Sequence, residues 1–216
     1  MARQRPMTTV LSVVYQSNRG HTRRIAEAVG AGAARVDGIE VDLLEIVARD
    51  VREGRWTNPS IMARLDASDA IAFGCATYMG SASAVFKAFL ETAFEKWRAQ
   101  AWKDKFAAGF TNSASPSGDK LSTLLQLTVF GAQMGMFWVG VADGPGGNLS
   151  TSTAASINRM GSWLGVMGQS NGDQGLELAP SRGDLQTASR LGERLARVTQ
   201  RWHGRGSYVT ERAVFN

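Results

Sequence analysis

The sequence has little of what most metal and redox centres are made from: one cysteine, Cys75, and two histidines, His21 and His203, in 216 residues. A single thiol excludes an internal disulfide, a zinc site built from several cysteines and an iron–sulfur cluster. Two histidines this far apart argue against a histidine-rich site, so no metal is expected. Long apolar runs are missing as well. Val10 to Tyr15 falls far short of the roughly 20 residues of a membrane span and is too short for the core of a signal peptide. A soluble cytoplasmic protein without membrane contact is expected. No run of Lys or Arg exceeds two residues, so the net charge of +5 reads as charge spread over a solvated surface. It favours acidic ligands such as phosphates and points to no nucleic-acid partner.

What is there has globular proportions, with 44% hydrophobic and 20% charged residues, too apolar for a disordered chain. The length suits one domain with a full core. Repeats and low-complexity tracts are absent, and any redox chemistry has to be carried by something bound.

Val10 to Tyr15 is β-branched and apolar on both faces, the pattern of a strand covered on both sides. Ile25, Ala28, Val29 and Gly32 then recur at helical spacing, and Gly38 closes that unit before a second strand near Glu40 to Ile46. A polar stretch with Gly54, Asn58 and Pro59 leads to a short helix near Ser60 to Leu65 and a third strand, Ala70 to Gly74. Phe86, Phe89, Leu90, Ala93 and Trp97 predict one face of the next helix. Phe106 to Thr111 predicts a fourth strand, Leu121, Leu124, Leu125, Thr128 and Ala132 the helix after it, and Met136 to Val141 a fifth strand. Residues 142–181 read as a long loop insertion with one apolar patch, Ser162 to Gly168. A last helix carries Leu191, Leu195, Val198 and Trp202. Residues 1–7 and 203–216 read as tails around a single domain, 8–202. Five strands alternating with helices predict an α/β fold with a doubly wound, five-stranded parallel sheet and helices on both faces.

Such sheets bind ligands beyond the carboxyl ends of their strands. After the first strand come Ser17, Asn18, Arg19, Gly20, His21 and Thr22, running straight into a helix. Free amides at a helix start, its macrodipole and the Ser17 and Thr22 hydroxyls together suit a phosphate. The loop is neither GxGxxG nor a P-loop, and Ser17 or Asn18 acting as a plain helix cap accounts for the same residues. The loop after the third strand is Ala76, Thr77, Tyr78, Met79, Gly80 and Ser81, and that after the fourth is Asn112, Ser113, Ala114, Ser115, Pro116, Ser117 and Gly118. Both are wide and polar, with backbone groups and walls able to flank a flat ring. Turn chemistry and a buried Tyr78 are the plain alternatives. No catalytic acid or base stands out. Trp56, Trp102 and Trp163 read as core or, failing that, as partner surface.

These loops carry a resemblance. The run VVYQSNRGHTRRIAEAV resembles the phosphate loop of flavodoxin-like proteins, and ATYMGSASAVFKAFLE followed by Trp97 resembles the NAD(P)H:quinone oxidoreductases of the WrbA type. GFTNSASPSG and the helix ending GAQMGM are similar too. The resemblance spans residues 8 to 200 and implies a flavodoxin-like sheet of order 2-1-3-4-5, FMN as cofactor, NAD(P)H as electron donor, a quinone as acceptor, and a homo-oligomer, dimer or tetramer, whose neighbours complete the pockets. It implies that Ser17 to Thr22 hold the phosphate and that Ala76 to Gly80 and Asn112 to Ser117 hold the ribityl chain and ring. Gln133 stands at a ring position where the family usually has His, Ala76 replaces a usual Pro, Arg19 meets nucleotide phosphate and Trp97 walls the substrate space. A one-electron flavodoxin carrier and a non-catalytic FMN-binding module are the alternative functions.

Overall fold

The computed structural model describes residues 8–204; the reading of 1–7 and 205–216 as tails lies outside the described residues. In chain order the elements are β1 (Thr9–Tyr15), α1 (His21–Ala33), β2 (Ile39–Glu45), a hairpin of β3 (Val51–Arg52) and β4 (Arg55–Trp56), α2 (Pro59–Ala67), β5 (Ala70–Tyr78), β6 (Ser81–Ala82), α3 (Ala84–Thr92), α4 (Phe94–Arg98), β7 (Phe106–Ser113), α5 (Lys120–Gln133), β8 (Phe137–Trp138), β9 (Val166–Gln169) and α6 (Arg182–Trp202). The main sheet runs β2-β1-β5-β7-β8, parallel throughout, with the short β6 antiparallel to β5. This is the predicted α/β, flavodoxin-like order.

The strands read as apolar runs because both faces are covered. Along β5 the pleat sends Ile71, Phe73 and Cys75 to a core shared with Phe86, Phe89, Leu124 and Leu127, while Ala70 and Ala72 join Leu11, Val13, Ile25, Val29, Leu191 and Leu195 on the other face. On that second face α1 and α6 pack backbone to backbone. A Cβ on Gly32 would lie 1.8 Å from Ser189 O, and one on Gly192 would lie 1.9 Å from Val29 O.

Four readings change. The fifth strand is not Met136 to Val141: β8 pairs only Phe106 and Ala107, the chain then leaves the sheet, and it returns as β9 to pair Phe110 to Ser113. Val139 and Val141 stay buried, which is why they read as strand. Val141 N–H, however, donates to Trp163 O at 2.9 Å instead of to β7. The apolar patch inside 142–181 is therefore a piece of the sheet and not part of a loop. The helix through Trp97 breaks at Ala93, where the Thr92 hydroxyl bonds both Ala88 O and Trp56 O and competes with the helical ladder. Leu121 and Leu125 are exposed, and α5 buries Leu124 and Leu127 instead. β5 and β7 run further than read, to Tyr78 and Ser113, so Ala76, Thr77, Tyr78, Asn112 and Ser113 are strand residues. Trp56 and Trp102 are core, whereas Trp163 is exposed.

Gly32→Ala is expected to lower unfolding stability by about 3 kcal/mol, because the methyl group has only backbone to displace. A urea midpoint equal to that of the wild type would contradict the close α1–α6 contact.

Candidate functional site

β1, β5 and β7 point the same way and end at one edge, where Tyr15 pairs with Gly74 and Ala76 with Asn112. An open cavity of about 650 Å³ lies there. Its first wall is the turn into α1. Gly20 takes φ 87°, a left-handed conformation open to glycine without strain, and its missing Cβ leaves room for Leu176. Ser17 Oγ accepts from Gly20 N at 3.1 Å. No side chain caps α1 and no acid lies in its first turn. The plain-cap alternative is thereby excluded, and the first helical amides remain available to an anion. Thr22 lines the cavity although only 2% exposed, while Asn18 and Arg19 are exposed at its rim. The His21 ring lies 3.2 Å from Gln174 O, and Arg24 donates to Leu176 O, so the segment after β9 leans across the start of α1.

The second wall is the end of β5. Thr111 Oγ1 donates to Cys75 O at 2.7 Å, and Thr77 Oγ1 lies 2.8 Å from Thr111 Oγ1 and 2.7 Å from Thr123 Oγ1. With the Thr111 proton taken, Thr77 gives its own to Thr111 and accepts from Thr123. The Thr77 hydroxyl is therefore committed beneath the cavity and has no proton for a ligand. Tyr78 pairs with Ser81 across a two-residue turn in which Met79 has φ 49° and Gly80 φ 73°, the left-handed pair that tight hairpins favour. Tyr78 is exposed, so it is no core tyrosine, and the Met79 side chain stands fully in solvent at 103%.

The third wall is Asn112, Ser113, Ala114 and Ser115, with Gly118 and Asp119 but without Pro116 and Ser117. A fourth wall, Ser170 to Gly172, follows β9: Ser170 N–H donates to Ser113 O, and Ser170 Oγ donates to Asn112 Oδ1, both at 3.1 Å. Sequence reading missed this wall because it lies in the supposed insertion. It also missed Gln16, buried at the end of an apolar strand, which was the one available signal. Gln16 Nε2 donates to Asn18 Oδ1 at 2.6 Å and its Oε1 accepts from Ser83 Oγ at 2.8 Å, joining the first loop to the second.

Gln133 and Trp97 are not in this cavity. They line a separate apolar groove of about 540 Å³ between α3, α4 and α5. For Gln133 the reason is length: α5 starts at the third loop and carries its last residue about 20 Å away at 1.5 Å per residue. Trp97 is 40% exposed, which excludes a core role, and its ring lies 5.4 Å from that of Phe94. Cys75 is buried beneath the strands, and desolvation pushes its thiol up to about 12 against hydrogen bonds from Ser83, so it stays protonated and inert. Among the described residues no three His, Cys, Asp or Glu come together as metal ligands, and no helix is long and apolar enough to cross a membrane.

A family described as NADPH-dependent FMN reductase matches residues 9–143. The chain belongs to this family. It is 38% identical over 192 residues to a protein named flavodoxin FldP from Pseudomonas aeruginosa, covering 88% of this chain and 97% of that one. It is 31% identical to a Geobacter sulfurreducens protein named NAD(P)H dehydrogenase (quinone), over 89% of this chain and 98% of the other. A solved structure described as a flavodoxin, WrbA-like protein from Agrobacterium tumefaciens, 37% identical, superposes with a TM-score of 0.67 over 90% of this chain and 99% of that one. The resemblance to flavodoxin-like, WrbA-type proteins thus holds for the chain as a whole.

Met79→Gly is expected to raise unfolding stability by about 0.5–1 kcal/mol, the left-handed strain of a Met less the larger chain entropy of Gly. A lower urea midpoint for the variant would show that the Met79 side chain is held by contacts of its own.

Proposed function

We propose that the protein binds FMN in this cavity and catalyses two-electron transfer from NAD(P)H to a quinone. The observation that carries this reading is the uncapped, acid-free start of α1 opening into a cavity walled by two polar strand ends. A phosphate monoester fits those residues, with the amides after Gly20, the hydroxyls of Ser17 and Thr22, and Arg19 at the rim as its partners. Thr77 to Met79 and Asn112 to Ser115 would flank the rest of the cofactor. FMN supplies, when bound, the exchange of two electrons that no side chain here can provide. The protein's part is to hold donor and acceptor in turn against one open face, between Tyr78 and Met79 and the third loop. The exposed Arg19 guanidinium can pair with a phosphate of the pyridine nucleotide. No side chain is assigned as acid or base.

The groove with Trp97 supports a homo-oligomer. Phe94, Leu125 and Val129 are exposed beside it, an apolar face of the kind that a partner surface covers. In this reading a second copy covers the groove, and Trp97 and Gln133 face the substrate space of that neighbour.

One relative favours a second reading: the 38% identical protein is named a flavodoxin, which suits a one-electron carrier. Against it stands the charge of +5, since docking of such carriers relies on an acidic face.

Purified protein is expected to be yellow and to release FMN on denaturation, and Thr22→Val should weaken FMN binding about tenfold through loss of one hydrogen bond to phosphate. Unchanged affinity would move the phosphate elsewhere. With NAD(P)H and a benzoquinone, double-reciprocal plots should be parallel; reduction in two separate one-electron steps without turnover would favour the carrier. Trp97→Ala should keep fold and FMN while raising the quinone KM. Light scattering on the wild type should report an oligomer, and a monomer would refute the shared groove.

A further inference from the structure

Lys120, the first residue of α5, is 0% exposed, a rare state for lysine. Its ammonium donates to Ser113 Oγ at 2.9 Å and to Ser115 O and Pro116 O at 2.8 Å each. Three protons meet three acceptors, all in the loop that forms the third wall of the cavity. The remaining carbonyl, Ala114 O, accepts from Gln169 Nε2 at 2.8 Å. Gln169 is itself held, its N–H donating to Asp184 Oδ2 at 3.0 Å and its Oε1 accepting from Arg159 at 3.2 Å. Arg159 and the buried Asp184 form a two-pronged ion pair with both contacts at 2.8 Å. The oxygens of the loop thus turn back into the protein. Among the described residues, the N–H groups of Ala114, Ser115 and Gly118 have no protein acceptor, and these three residues line the cavity.

We propose that Lys120 is a positioning residue for the redox step: it draws the oxygens of the 113–116 loop away from the cavity, leaves the loop amides to the electron-rich edge of the cofactor, and sets a positive charge behind the loop that makes the cofactor easier to reduce. The proposal rests on the FMN reading of the cavity. Fixed amides and a cation at the base of a partly desolvated site act without the reorganisation that water would need. The charged groups that face the ammonium are Asp184 on α6, which supports its charge, and Arg159 from the segment before β9, which opposes it. Burial outweighs both and brings Lys120 down to about 8. The ammonium is therefore charged at neutral pH, and its charge is lost as pH rises through about 8.

FMN affinity by fluorescence quenching, and the midpoint potential of the FMN-loaded protein, are to be measured at about pH 7 and about pH 9 for wild type, Lys120→Met and Lys120→Arg. The expected wild type binds FMN about tenfold more weakly at the higher pH, as the loop oxygens lose one of the three protons that hold them and the charge behind the loop disappears. Lys120→Met should show that weak affinity and a lower potential already at pH 7, and Lys120→Arg, charged at both values, should restore tight binding without the pH step. A wild type that binds FMN equally at both values overturns the inference without any variant, as does a Lys120→Met protein with wild-type potential. A wild type that binds no FMN overturns the reading of the cavity itself.

Discussion

Seven residue pairs join β5 to β7 in parallel, from Ala70 with Phe106 to Ala76 with Asn112, and five join β1 to β5. Parallel pairing forces all three strands to end at the same edge, because each connection must cross back through a helix. The three loops have no other place to be. The split fifth position completes the arrangement: β8 pairs the first residues of β7 and β9 its last four, Phe110 to Ser113. The segment between them leaves the sheet and returns in time to add Ser170 to Gly172 as a fourth wall.

A sheet covered on both faces has little use for polar side chains except at that edge, and there they work as anchors. Thr77, Thr111 and Thr123 tie β5, β7 and α5 together beneath the cavity. Gln16 joins Asn18 to Ser83, and Gln169 joins β9 to the third loop. With these anchors in place the cavity is pre-formed, and Met79, which with Asp119 is a positive-φ non-glycine lining it, sits in a hairpin tied to α5 by Ser122 and Gln126. Strain of this kind persists where the surroundings over-determine the backbone.

The two faces of the sheet differ in how tightly they are closed. Between α1 and α6 glycines let the backbones touch, although Trp202 at the end of α6 stays exposed against Phe137. On the other side α3, α4 and α5 bury Phe86, Phe89, Leu124 and Leu127 but leave Phe94, Trp97, Leu125 and Val129 outside. Sequence periodicity treats these residues alike, and only the facing helix decides which are core.

Amino-acid order alone determined the strands whose faces are both buried, the helices between them, the sheet order implied by resemblance and which strand ends carry the three loops, since these depend on local periodicity and on residues adjacent in the chain. It did not reveal that β5 and β7 extend to Tyr78 and Ser113, because polar Thr77 and Asn112 look like loop until a neighbouring strand takes up their backbone groups. It did not show that within one chain the length of α5 and the break at Ala93 put Gln133 and Trp97 in a groove apart from the cavity. Lys120, Gln169 and Ser170 were silent in the sequence for the same reason. Each takes its role from partners in other elements or at the far end of a loop, and those partners meet only once the parallel sheet has brought its strand ends together.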